Sequence, residues 1–165
     1  MRFQKIKFNK GKVRMEYEVE NDKGDMDEFA FTCGDEPKPE FKEALQALDQ
    51  DIIEMCELPV EYINRVTVTG VSFSYGGEGE VMGAVIVSQM RLNKSNVPLN
   101  LNSPHKASEP YGEDAQDEQL LDHDCVERLE TLISEAEDYV KGIRAQKRFS
   151  FVEKTEGEAA RAASA

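Results

Sequence analysis

The sequence predicts an α+β protein: an antiparallel five-stranded sheet, in the order βββαββα, with two helices packed on one face. Three observations predict it. Hydrophobic residues alternate with polar ones through the first third of the chain. They recur at helical spacing in two later stretches. Between those stretches lie two runs rich in β-branched residues, joined by a glycine-rich turn.

The elements follow in order. In "KVRMEYEVE", Val13, Met15, Tyr17 and Val19 alternate with Arg14, Glu16, Glu18 and Glu20, a half-buried strand with one wet face. Ile6 and Phe8 share one face of a shorter strand before it. "NKGK" at 9–12 supplies the hairpin turn, with Gly11 free to take positive φ. "NDKGD" at 21–25 is a second turn, and Phe29, Phe31 and Cys33 form the inward set of a third strand. Pro39 suits the first turn of a helix, where its missing N–H costs nothing. Phe41, Leu45, Leu48, Ile52 and Met55 then place one amphipathic helix over 39–57, which Pro59 helps to end.

Parity changes inside the next strand, "INRVTVTGVSFSY" at 63–75. Val66 and Val68 share one face, Val71, Phe73 and Tyr75 the other, and Gly70 sits at the switch. A bulge at Gly70 restores a single face; cover on both faces is the alternative. "GGEGE" turns the chain, and "VMGAVIVSQMRL" at 81–92 is apolar on both faces, so it is expected to pair with 63–75 as a central strand. The last helix starts with Asp124 as N-cap and Glu127 three residues later, a capping-box spacing. Its apolar stripe is Val126, Leu129, Ile133, Ala136, Val140 and Ile143. Residues 1–149 are thus expected to form one domain with a long loop at 93–122, and the small, polar residues 150–165 a disordered tail.

Composition narrows the function classes. The chain has 165 residues and a net charge of −13, which opposes indiscriminate binding to nucleic acid or anionic lipid. Charge is unevenly spread: residues 1–14 hold Arg2, Lys5, Lys7, Lys10, Lys12 and Arg14 and no acid, whereas 107–127 hold eight acids and no Lys or Arg. No stretch approaches the roughly 20 apolar residues that span a membrane, and the N-terminus lacks the apolar core of a signal peptide. Cys33, Cys56 and Cys125 lie far apart, with neither disulfide nor zinc spacing, which points to a reducing, cytosolic setting.

Three places are candidates for chemistry. "SYGGEGE" at 74–80 has adjacent glycines that let backbone N–H groups converge on an anion, although it matches no phosphate-loop pattern and Glu78 and Glu80 disfavour phosphate there. "PLNLNSPHK" at 98–106 is proline-braced. Leu99 and Leu101 can anchor it as a short edge strand while Asn100 and Asn102 point the other way, and His105 with Lys106 supplies positive charge. The acidic run from Glu109 to Asp124 lacks calcium-loop spacing, and His123 alone makes no metal site. No nucleophile motif is present, so no catalytic residue, metal or cofactor is assigned.

At "VTGVSFSYGGEGEVMGAVI" (68–86), "PLNLNSPHK" (98–106) and "CVERLETLISEAEDYVKGIRAQ" (125–146), the sequence resembles a family of small proteins encoded in tailed phages and prophages among early-region recombination and replication genes. The likeness runs from about residue 3 to residue 149. That family carries no assigned activity. The resemblance implies a phage context and the cytoplasm of a bacterial host, and it transfers no catalytic residues. The expected function is a non-enzymatic accessory protein whose partner is a host protein, a component of phage DNA metabolism or a small anionic ligand. The expected binding residues are Tyr75, Gly76, Gly77, Asn100, Asn102, His105 and Lys106. Two alternatives stand beside it: single-stranded DNA binding by Arg2, Lys5, Lys7 and Lys12 with Phe3 as the exposed aromatic, and an acidic decoy for a nucleic-acid-binding host protein. Oligomeric state is left open.

Overall fold

The computed structural model describes residues 1–110 and 119–145; the expected tail at 150–165 lies outside them. The protein is α+β with an antiparallel sheet. The sheet has seven strands rather than five, in the order β3-β2-β1-β4-β5-β6, with β7 also paired to β5.

Strands β1 (Arg2–Asn9), β2 (Lys12–Glu20) and β3 (Met26–Cys33) form the expected meander. Lys10 and Gly11 close the first hairpin with positive φ of 52° and 73°, the two-residue turn whose twist matches the flanking strands. In the second, Asn21 Oδ1 accepts from the backbone N–H of Lys23 and of Asp25.

Helix α1 (Pro39–Gln46) begins at Pro39 as expected, but the single helix over 39–57 is in fact two, with α2 at Asp49–Met55. A side chain divides them. Gln50 Nε2 donates to the Ala47 carbonyl at 2.9 Å, while the Asp51 N–H bonds the Leu48 carbonyl instead. The helical ladder is thus broken locally with its backbone groups still satisfied. A 3₁₀ turn (Val60–Arg65) leads into β4 (Val66–Gly76), which pairs with β5 (Val81–Met90).

The register of β4 against β5 shifts between Val68 and Gly70, so the bulge is real. It turns Val66 and Val68 to the same interior as Val71 and Phe73, and all four are buried. On its other side β4 meets β1 through Lys5↔Ser72, Ile6↔Val71 and Lys7↔Gly70. A Cβ on Gly70 would lie 2.5 Å from the Ile6 carbonyl oxygen and 3.0 Å from Lys7 Cα, so this close approach requires glycine.

The stretch expected as a long loop holds two strands, β6 (Leu99–Asn102) and β7 (Lys106–Ala107). Helix α3 (His123–Val140) follows. Its N-cap is Asp122, without a side-chain cap bond, so the expected capping box at Asp124 and Glu127 does not form. Glu127 instead lies 3.3 Å from His123 Nε2. The stripe is also rotated from the expected one. Cys125, Leu129, Leu132, Ala136 and Tyr139 are buried, Val126, Ile133 and Val140 flank them, and Ile143 is exposed. The Tyr139 hydroxyl donates to the Asp35 carbonyl at 2.7 Å, and its ring stacks on Phe31. This anchors α3 to the meander and draws its buried face off the purely aliphatic stripe.

One core joins these parts: Ile6, Val13, Met15, Val71 and Ile86 from the strands with Phe41, Leu48, Ile52, Leu129 and Leu132 from the helices. Polar ties lock the helices together. Arg128 of α3 donates through Nε and Nη2 to both carboxylate oxygens of Asp51 in α2, at 2.9 and 2.7 Å, and Asp51 is only 1% exposed. Lys38, just before α1, lies 3.2 Å from Glu135 and 3.1 Å from Asp138.

Two stability outcomes follow from these contacts. Gly70→Ala should cost about 3 kcal/mol in urea unfolding, because the backbone of β1 must move to admit a methyl group. Arg128→Ala should cost a similar amount, about 3 kcal/mol, by leaving the Asp51 carboxylate buried and unpaired. Replacing both residues with Leu should recover most of the second loss, since no buried charge then remains.

Candidate functional site

Residues 98–108 form the edge of the sheet beyond β5. Leu99 to Asn102 pair with Met90 to Val87, and Lys106 and Ala107 pair with Ala84 and Gly83. Between the two short strands Pro104 offers no N–H, and Ser103 fills the gap. Its backbone N–H donates to the Ile86 carbonyl, its Oγ accepts from the Ile86 N–H, both at 2.9 Å, and the same hydroxyl donates to the Pro104 carbonyl. One hydroxyl thereby replaces a ladder carbonyl and keeps the edge in register.

Successive residues on a strand face opposite sides, and this divides the seven expected binding residues. His105 Nε2 lies 2.8 Å from Ser74 Oγ, with its ring over Gly83. A Cβ on Gly83 would come within 2.4 Å of that nitrogen, so glycine makes room for the imidazole. Lys106 instead lines a cavity of ≈ 530 Å³ on the helical side, with Asp51, Glu54, Asp122 and Cys125. Tyr75 also faces the interior: its hydroxyl donates to the Phe3 carbonyl at 2.8 Å, and the Arg2 guanidinium lies 4.8 Å over its ring. Burial raises the pKa of that phenol. Gly76 ends β4 and Gly77 takes φ 72° in the turn. Asn100 and Asn102 are exposed on β6, and Asn100 Oδ1 accepts from Gln89 at 3.4 Å. Ser74 and Gly83 are thus the partners of His105, and Tyr75 and Gly76 are not.

Within the cavity beside Lys106, Asp51, Glu54 and Asp122 bring one oxygen each to within 4.8 Å of one another. Both Asp51 oxygens are already bonded to Arg128.

A larger groove, ≈ 640 Å³, opens at the end of the sheet where β1, β4 and β5 meet α1 and the 3₁₀ turn. Four cations line it: Lys10 from the first hairpin, Lys42 from α1, Arg65 from the 3₁₀ turn and Arg91 just past β5. Arg65 is held rigid, with Nε donating to the Arg91 carbonyl at 2.9 Å and its guanidinium 4.6 Å over the Tyr62 ring. Lys42 lies over Phe8 and contacts Glu36 at 2.6 Å. No ion pair engages Lys10 or Arg91 among the described residues.

Asp49 is the acid in the groove's lining. One of its oxygens accepts from the Val68 N–H at 2.9 Å, and burial raises its pKa despite that bond. Sequence reading passed over this groove because its cations come from four separate elements. The available signal was Lys10 at a positive-φ hairpin, where its side chain must leave the sheet.

Of the N-terminal cations expected to bind single strands, Arg2 and Lys5 are engaged by acids. Arg2 bonds Glu18 through Nε at 3.1 Å and Nη2 at 2.7 Å, and its Nη1 lies 3.1 Å from Glu80. Lys5 lies 3.7 Å from Glu16, while Lys7 lines a shallow depression of the open sheet face and Lys12 is exposed. Phe3, expected to be exposed, is fully buried against Tyr17, because a register shift between Phe3 and Lys5 turns it to the same face as Ile6.

The cysteines differ in chemistry. A hydrogen bond with Tyr139, then the Asp35 N–H, lowers the Cys33 thiol pKa. Burial raises Cys56, and burial with the nearby Asp51 charge pushes Cys125 up to about 12. Alkylation of the native protein near neutral pH should therefore label Cys33 first and Cys125 last, as peptide mass spectrometry would read. Labelling of Cys125 at the rate of Cys33 would contradict this order.

No helix among the described residues is long and apolar enough to cross a membrane. Comparison with protein-family models, with curated proteins and with solved structures yields no match.

Proposed function

We propose that the protein is a non-enzymatic binding protein and that its ligand carries phosphate groups, received in the groove lined by Lys10, Lys42, Arg65 and Arg91. The phage context implied by the resemblance fits an accessory of DNA metabolism, where such ligands are nucleotides or short single strands. One observation carries the reading: in a chain of net charge −13, four cations converge on one groove. A rigid Arg65 suits planar, two-pronged contact with a phosphate, and Lys10 and Arg91 add charge that no carboxylate among the described residues neutralises. The adjacent Phe8 and Tyr62 faces are already covered by Lys42 and Arg65. Recognition is therefore of phosphate rather than of bases by stacking.

Binding through Arg2, Lys5, Lys7 and Lys12 is less favoured, because Arg2 and Lys5 already contact acids and Phe3 is buried. Of the seven residues expected from the sequence, His105 lies against Ser74 on the open face while Lys106 and Tyr75 face the other side, so they are poor candidates for one compact ligand.

Titration of the full chain with pyrophosphate, a nucleoside triphosphate and a short single-stranded oligonucleotide tests this. Binding should appear at low ionic strength and weaken with added salt. Combined Lys10→Glu and Arg91→Glu should reduce affinity by about a hundredfold or more, at about 1.4 kcal/mol for each factor of ten. Asp49→Asn should tighten binding. It should also leave stability at neutral pH unchanged or higher, because a raised carboxyl pKa means that ionisation of Asp49 opposes folding. That advantage should vanish as pH falls below the ordinary carboxylate value of 3.8, where Asp49 is protonated in both states. Unchanged affinity in the charge-reversed variant would overturn the assignment.

A further inference from the structure

We propose that the free edge of β3 pairs with β3 of a second copy of this chain, antiparallel about a twofold axis at Ala30. The two edges of the sheet are not alike. Beyond β5 the edge is interrupted by Pro104, bulged at Ser103 and bordered by Pro98, which disfavour a further long strand, and its β7 end is already bridged by Leu120. Strand β3 ends the other side of the sheet with eight residues, Met26–Cys33, and contains neither proline nor lysine. Its whole length pairs with β2 on one side, from Cys33↔Val13 to Met26↔Glu20. Among the described residues nothing pairs with its other side, which offers a row of backbone donors and acceptors.

The side chains select the occupant. On the core face an aromatic row runs Phe3, Tyr17, Phe29, with centroids 5.7 and 5.3 Å apart, and stops at Phe29, which is 46% exposed. Antiparallel pairing about Ala30 sets Phe29 opposite Phe31 of the second copy. The row then continues through that Phe31 to Met15, its own partner on β2. On the open face the same register sets Glu28 opposite Thr32 of the second copy. Thr32 is paired with Arg14, which lies 3.0 Å from Glu16 of its own chain and whose side chain is 54% exposed, so each Glu28 carboxylate comes one strand away from a cation of the other copy, within reach of its long side chain. Ala30 faces itself at the axis, where a small residue fits. The interface is self-complementary, as a closed twofold contact requires.

Sedimentation of the full chain across a concentration series should show a monomer–dimer equilibrium. Amides of residues 27–33 should gain hydrogen-exchange protection as concentration rises. Ala30→Lys, which sets two like charges face to face, should weaken the dimer by about tenfold or more while leaving the monomer's circular dichroism intact. Glu28→Arg and Arg14→Glu should each weaken it, and the two together should restore it. A chain that is monomeric at all concentrations overturns the proposal. Monomers whose β3 amides are protected at every concentration overturn it too, and assign the edge to a segment of the same chain. Neither result bears on the cationic groove, whose residues lie in other elements.

Discussion

Residue 70 has no side chain, and the sheet is one sheet because of it. The meander β1–β3 and the hairpin β4–β5 meet along three paired positions, and Gly70 occupies one of them with Ile6 carbonyl oxygen 2.5 Å from where its Cβ would be. The same residue closes the bulge that turns both halves of β4 inward. A side chain there would separate the strands, and with them the two halves of the core that the helices cover. The cationic groove depends on the same seam. Lys10 comes from the meander, and Arg65 and Arg91 flank the hairpin strands, so these cations share one groove only while β1 and β4 are joined.

Net charge and local charge then act on different scales. At distances beyond the Debye length, about 8 Å at physiological ionic strength, the excess of acid is screened. Within the groove the near field is set by the four cations and by Asp49, which shares one oxygen with the Val68 N–H. An acidic protein can hold an anion at such a place while repelling polyanions elsewhere on its surface. The phosphate ligand proposed for the groove would on this account be preferred as a small or end-bound group over long duplex DNA.

Much of the fold was legible because it is written in local periodicity. Alternation marked β1 to β3, and the parity switch around Gly70 marked the bulge. What was not legible depends on side chains meeting across the chain. The break between α1 and α2 comes from Gln50 capturing the Ala47 carbonyl, which no hydrophobic spacing records. The buried face of α3 is set by Tyr139 reaching Asp35 and Arg128 reaching Asp51, so its aliphatic stripe was misplaced. At the candidate site, His105 and Lys106 were grouped because they are adjacent in sequence. Where the chain extends into β7 at Lys106, that adjacency sends them to opposite faces. The groove's cations are far apart in sequence and could be grouped only by the fold.

The stretch expected as a loop shows how an edge strand survives two prolines. Pro98 and Pro104 each remove a donor, and the bulge at Ser103–His105 removes register. Side chains restore both. Ser103 Oγ accepts from Ile86, Ser88 Oγ donates to the Leu101 carbonyl at 2.8 Å, and His105 bonds Ser74 across Gly83. These three bonds join the edge inward to β4 or β5, while on the outer side of β7 Ala107 bridges Leu120 in parallel and its carbonyl accepts from the Leu121 N–H at 2.8 Å. The segment is therefore well held and at the same time a poor template for another strand. The pairing capacity that no described residue uses lies along the outer side of β3.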